Sequence, residues 1–304
     1  MMYNRTEAIP ATTWTTGVIV TDNLPTNPLS HLVMTMRFLN VTDEATLAEV
    51  LAAIANVEVL HNGQAITQIN GADLFRLNMR LLGSTPYLAN QVATDNAARW
   101  ISLIIPFSRQ PYMPNEGIPA TKSGQLQIRL TRSASDAALD GQTVIVEAIE
   151  MLGATPAKTL KITSLTPVVP AVGDNRVDIP REGELAAILA FATTFPTSTA
   201  FTKTINSFRL LVNNKEQYVT LGNWETMRGE HLIRLGQEKG AVTADGASND
   251  EEYVYLNLDP NGDGNWLLPT DDLNDLSLIL NAGDTNAYRF VPLRLVPASR
   301  YAST

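Results

Sequence analysis

The chain has 304 residues, no cysteine and a formal net charge of −9, from 22 Lys plus Arg against 31 Asp plus Glu. Its 44% hydrophobic and 17% charged content excludes a disordered chain, which carries less apolar and more charged sequence. The missing cysteine excludes a disulfide scaffold and a thiolate-bound metal centre, and the acidic balance disfavours a general basic surface for phosphate.

The length allows one large or two medium domains with a full core. Residues 1–30 are rich in Thr, Asn and Pro, with Arg5 as their one basic residue, and are expected to form an extended N-terminal arm. They lack the basic stretch and apolar run of an export signal. Apolar windows such as Ile101–Ile105 fall far short of the ~18 residues of a membrane span. The expectation is a protein that is soluble or sits in an assembly.

From His31 the pattern becomes regular. Leu32, Met34, Met36 and Phe38 alternate with Val33, Thr35 and Arg37, the period of a strand. Thr42, Asp43 and Glu44 offer an N-cap and first-turn acids to a short helix with Leu47, Val50, Leu51 and Ile54 on one face. Val57–Leu60 and Ala65–Ile69 flank Asn62-Gly63, a strong hairpin signal. A helix is expected from Gly71, with Asp73 as a cap. Strands follow at Trp100–Pro106, Gln125–Leu130 and Thr143–Met151, with a three-proline loop over 108–124. Residues 153–184 hold four prolines and three glycines and read as an interdomain connection.

The same order of elements then recurs at a near-constant offset of about 150 residues. Leu185–Phe191 takes the place of Leu32–Phe38. Ile205–Thr220, turning at Asn213-Asn214, parallels Ile54–Thr67. Glu252–Leu258, Leu276–Leu280 and Tyr288–Val296 complete the series. Residue identity between the halves is low, so element order and spacing carry the repeat. The chain divides into an arm (1–30), a first β-domain (31–152), a connection (153–184), a second β-domain (185–298) and a tail (299–304). Short strands separated by frequent turn signals predict an all-β fold with short helices: two tandem eight-stranded jelly-roll β-sandwiches.

That layout resembles the double jelly-roll major capsid proteins of tailless icosahedral viruses, especially those of membrane-containing bacteriophages. The resemblance spans nearly the whole chain. It rests on the duplicated β-domain, the lead-in arm, the opening strand followed by a helix, the hairpins at Val57–Ile66 and Phe208–Val219, and the Ile179-Pro-Arg181 linker. It implies a structural coat protein, with three copies in a pseudo-hexagonal capsomer. The implied partners are neighbouring capsomers, minor capsid and vertex proteins and an internal membrane, with no sequence-specific nucleic-acid binding. It places the protein in the virion capsid, assembled in the host cytoplasm. Neither catalysis nor a cofactor is implied. Large, sparsely charged sides suit such subunit contacts, and Thr and Asn hydrogen-bond without the cost of burying ions.

Two rival functions remain open: a two-jelly-roll hydrolase acting on glycans or amides, and a tandem carbohydrate-binding module. The second would display a row of aromatics, whereas Trp14, Trp100, Trp224 and Trp266 are scattered. His31, His61 and His231 have no metal-ligand spacing. Glu251-Glu252 and Asp271-Asp272 are sequence neighbours, which point to opposite faces of a strand. The best local motif is Asp259-Pro-Asn-Gly-Asp-Gly-Asn265. It sets Asp259, Asn261 and Asp263 at ligand positions 1, 3 and 5 of a structural calcium loop, with Gly264 at position 6. Thr270 stands where a bidentate Glu belongs, and the plainer reading is an Asp/Asn/Gly loop between strands.

The charge is localised. Residues 241–284 hold ten acids and no Lys or Arg, and the other 260 residues sum to +1 (22 − 21). That segment is expected to form outward-facing loops or an ion site. Arg289, Arg294 and Arg300 make the C-terminal stretch the better candidate for contact with a polyanion or lipid headgroups.

Overall fold

The computed structural model describes residues 2–14, 17–41, 44–86, 88, 94–133, 138–195, 201–235 and 252–302, with the backbone alone at 231–235. Two compact units result: Met1–Thr163 with Val296–Thr304, and Ser164–Leu295.

The first unit contains β1 (Met2–Thr13), β2 (Gly17–Thr21), β3 (Leu29–Asn40), α1 (Leu47–Ala52), β4 (Ile54–His61), β5 (Gln64–Ile69), α2 (Gly71–Leu82), β6 (Ala98–Pro106), β7 (Leu126–Arg132), β8 (Leu139–Leu152) and β9 (Lys158–Thr163). One sheet runs β1-β8-β3-β6, and β9, β5, β4, β7 and β2 are neighbours in that order in another. Among the described strands of this unit the pairings are antiparallel, and β5 with β9 is parallel. Alternation along the strands supplies the core. Leu32, Met34, Met36 and Phe38 of β3 are buried, as are Val144 and Val146 of β8 and Val57, Val59, Ile128 and Leu130 of the other sheet. Each such side chain contributes roughly 1.5–3 kcal/mol.

Local signals set the turns and caps. Asn62 (φ 49°) and Gly63 (φ 80°) form a two-residue turn between paired His61 and Gln64. Two consecutive positive φ values match a type I′ hairpin, which suits the twist of the strands. Helix α1 is capped by Thr46 and Glu49 in a capping box, not by the expected 42–44 segment, of which Thr42 and Asp43 lie outside the described residues. The cap of α2 is Asn70, whose Oδ1 accepts from Asp73 N–H at 2.8 Å. Asp73 therefore sits inside the first turn, and Gly83 (φ 66°) closes the helix.

The second unit contains β10 (Gly173–Asp178), β11 (Glu184–Ala192), β12 (Ile205–Val212), β13 (Lys215–Glu216), β14 (Gly222–Asn223), α3 (Trp224–Leu235), β15 (Tyr253–Asn257), β16 (Leu268–Pro269), β17 (Leu276–Ala282) and β18 (Tyr288–Pro297). Its sheet β10-β17-β12-β13 repeats the neighbour order β2-β7-β4-β5, and β15-β11-β18 repeats β6-β3-β8. The duplication read from element spacing is therefore a duplication of pairing. Asn213 and Asn214 (φ 51° and 61°) form the second hairpin turn, between paired Val212 and Lys215. Ile188, Ala190, Phe208, Leu210, Trp224, Leu278, Leu280 and Phe290 lie in this unit's core. The described residues form an all-β fold with three short α-helices: two jelly-roll sandwiches in tandem.

Three segments differ in detail from their sequence reading. The N-terminal arm is a strand of the first unit: β1 follows β8 from Met2–Leu152 to Thr13–Thr143. Ala8, Ile9 and Trp14 are buried, which an irregular lead-in would not achieve. The 153–184 connection gives a strand to each unit, β9 and β10, and the division falls between Thr163 and Ser164. The C-terminal residues from Val296 belong to the first unit, where Ala298 N–H donates to Ala157 O at 2.9 Å. There Tyr301 is buried edge-on to His61, with ring centroids 5.4 Å apart.

Candidate functional site

The Asp259 loop closes on itself. Gly264 N–H donates to both carboxylate oxygens of Asp259, at 3.2 and 3.0 Å, and Gly262 N–H donates to Asp259 O at 3.0 Å. Gly262 (φ 68°) and Gly264 (φ 80°) take left-handed backbone, which glycine adopts without steric cost. Asp263 accepts from Asn265 N–H at 3.0 Å and Asn265 Nδ2 at 2.8 Å. These bonds, the backbone one foremost, hold its carboxyl below the usual range. Asp259 and Asp263 supply the hard oxygen chemistry that calcium takes, but the loop's own N–H groups already engage both carboxylates. Among the described residues no three His, Asp or Glu side chains gather in metal-holding geometry.

Most described acids of the 241–284 segment brace loops in the same way. Asp271 accepts from Gly183 N–H at 2.9 Å. Asp275 pairs with Arg176, and Asp284 accepts from Asn286 N–H at 2.9 Å. Asp245, Asp250 and Glu251 lie outside the described residues, so the Glu251-Glu252 pair cannot be placed. Arg181, noted in the linker motif, donates to Leu273 O and Asn274 O. It ties the start of β11's lead-in to the turn that holds Asp275.

His31 and His61 are the histidines whose side chains are described. His31 is buried, with Nδ1 2.9 Å from Ser30 Oγ and its ring edge-on to Tyr112 at 5.3 Å. Burial, assisted by the Arg5 charge, lowers its pKa to about 4. His61 is buried at the hairpin, and burial lowers its pKa too. His231 belongs to α3, and its side chain lies outside the described set. Of the C-terminal arginines, Arg289 stacks over Phe191 at 4.7 Å, and buried Arg294 pairs with Glu182 at 3.1 Å. Both are committed to strand packing; Arg300 is exposed.

Buried polar anchors were not legible in the sequence. Glu150 of β8 is 3% exposed and accepts from Asn4 Nδ2 at 3.1 Å, Thr6 Oγ1, and Asn27 Nδ2 at 2.5 Å. Three neutral donors from the N-terminal segment thus solvate one buried carboxylate. Arg109 and Glu116 form a second anchor inside the three-proline loop. No spacing rule marks either set, because the partners meet through loops or across more than a hundred residues.

Two surface depressions differ in character: one of about 650 Å³ is lined by charged and polar groups that include Arg176, Asp178, Arg181 and Asp275, and the other is apolar. Met2, Tyr3, Tyr112 and Met151 line a depression of about 430 Å³, with Tyr3 and Tyr112 in edge contact at 5.5 Å. Val18 and Val20 project from β2 at 53% and 47% exposure. His31, His61 and most described acids of the 241–284 segment are engaged in local structure.

No protein-family model matches the chain, and no curated protein sequence matches it. Solved structures do. The major capsid protein of STIV aligns with a TM-score of 0.67 at 9% identity, over 98% of this chain and 97% of that one. The major capsid protein of bacteriophage PM2 gives 0.65 at 14% identity, over 97% and 98%. The capsid of the PBCV-1 virus gives 0.62 at 10% identity, over 97% and 93%. At these identities the likeness is one of fold, and it is end to end: the chain is a double jelly roll like those of viral major capsid proteins.

Proposed function

We propose that the chain is a structural coat protein, the major capsid protein of an icosahedral virus. The observation that carries this reading is the duplicated sandwich itself. Two units with the same strand pairing make up the described chain, and solved viral major capsid proteins align with it over 97–98% of its length. Fold alone does not dictate function, so the surface chemistry matters too. Most described acids of the 241–284 segment brace loops, buried ion pairs hold a loop and a strand, and the exposed features include the apolar β2 and the Tyr3–Tyr112 pair as well as the charged β10. Such a surface suits association between subunits.

On this reading three copies form a capsomer, and capsomers meet one another and minor or vertex proteins in the shell. Assembly takes place in the host cytoplasm. The protein turns over no substrate, and a structural calcium in the Asp259 loop is not required for the shell. Light scattering on the purified chain tests the first step. A species of three times 33.1 kDa is expected, and a strict monomer at high concentration overturns the reading. Electron microscopy of the concentrated protein, alone and with lysate of its source, is expected to show regular particles.

A further inference from the structure

Resting on the reading of the chain as a self-assembling coat protein, we propose that the β2 edge, Gly17–Thr21, is a contact between copies, pairing antiparallel with the β2 edge of a second copy about a two-fold axis through Ile19. β2 is the outermost strand of its sheet and pairs only with β7 among the described residues. An outer strand presents unpaired N–H and C=O groups, and proteins guard such edges with charge, proline, bulges or cover.

The other outer strands carry those guards. β1 has Pro10 and two register irregularities. β10, which occupies the place of β2 in the second unit, exposes Asp174, Arg176 and Asp178. β13 is Lys215-Glu216. β6 is bridged by Leu88 at Ile101, and β15 is buried at four of its five residues. β2 reads Gly-Val-Ile-Val-Thr, with no charge, proline or bulge. The duplicated position is thus charged in one unit and apolar in the other.

The occupant follows from the strand's own symmetry. Val18-Ile19-Val20 reads the same in both directions. Antiparallel pairing about Ile19 sets Val18 of one copy opposite Val20 of the other, twice, with Gly17 opposite Thr21. No like charges oppose. An isologous contact needs this self-complementarity, and β-branched cross-strand pairs are favourable. The guarded outer strands would instead place a charge, a proline or an irregular register against it.

The missing cysteines make the test clean. Two full-length variants, Val18→Cys and Val20→Cys, each carry one thiol in a chain that otherwise has none, at exposed positions. Directly opposed residues lie within disulfide reach, whereas Val18 to Val18 of the second copy is a diagonal too long to bridge. Under mild oxidation an equimolar mixture is expected to give roughly tenfold more disulfide dimer than either variant alone. Equal cross-linking in the single-variant samples, or none in the mixture, overturns the proposal. Electron microscopy on the same samples separates it from the capsid reading. Particles without the mixed cross-link overturn the edge pairing alone, and the cross-link without particles supports the pairing while counting against a shell. If a Val18→Lys/Val20→Lys chain folds but forms no particles while the mixture fails to cross-link, a different strand occupies the edge and the two-fold pairing is wrong.

Discussion

Arg109 and Glu116 lock the three-proline loop of the first unit: Arg109 Nη2 and Nε stand 2.6 and 2.9 Å from Glu116 Oε1, and Arg109 N–H reaches Oε2 at 2.9 Å. Their side chains are 13% and 4% exposed. Removing one partner of a buried pair strands the other charge, at about 3–5 kcal/mol. Glu116→Ala is therefore expected to lower unfolding stability by about 3 kcal/mol, read from urea titration. Replacing both residues, with Arg109→Met and Glu116→Leu, should recover most of that loss.

His31 makes stability depend on pH. Its folded pKa is about 4 against an ordinary 6.5, so the unfolded chain binds a proton that the folded chain refuses between those values. Stability is full above pH 6.5 and declines as pH falls toward 4, by roughly 1.4 kcal/mol per unit at most. His61 adds in the same direction. His31→Gln, measured by urea midpoint at pH 7, 5.5 and 4.5, is expected to show a shallower decline than the unchanged protein. Identical slopes would assign the decline to other groups.

The two hairpin turns differ by one residue type, and this difference is testable. Asn214 holds φ 61° where the first turn has Gly63. Asn214→Gly should raise stability by roughly 0.5 kcal/mol by relieving the left-handed backbone. Asn213 is another matter, because its Oδ1 accepts from Asn274 N–H at 2.8 Å and Asp275 N–H at 3.2 Å. Asn213→Ala should lower stability by about 1–2 kcal/mol, seen as a drop in Tm.

At the Asp259 loop, Asp259→Ala leaves Gly264 N–H without its acceptor and should lower stability by about 1–3 kcal/mol. The internal bonds predict that calcium and a chelator leave the Tm of the unchanged chain where it is. A rise with calcium that Asp263→Asn abolishes would establish the ion site instead.

Gly71 begins α2 against α1 and β4. A Cβ there would stand 2.6 Å from both Ile54 Cβ and Leu51 O. Gly71→Ala should therefore lower stability by about 1–3 kcal/mol through overpacking, although alanine ordinarily favours a helix. A rise in Tm would show that α2 can shift away from its neighbours.

Much of this molecule follows from local pattern. Alternation from Leu32 to Phe38 made β3, Asn62-Gly63 and Asn213-Asn214 made the hairpins, and the spacing of similar elements disclosed the duplication. These features depend on residues close in sequence, where side-chain periodicity and backbone preference act directly. Tertiary structure decided what depends on distant partners. The acceptance of residues 2–13 as a strand needed Glu150 and the length of β8. The acids that looked like one charged region became separate braces for Gly183, Arg176 and Asn286. The apolar Val18-Ile19-Val20 run acquired meaning only when strand order placed it at a sheet edge. Which edges stay open, and which carboxylates find donors, are properties of long-range pairing, and no local period encodes them.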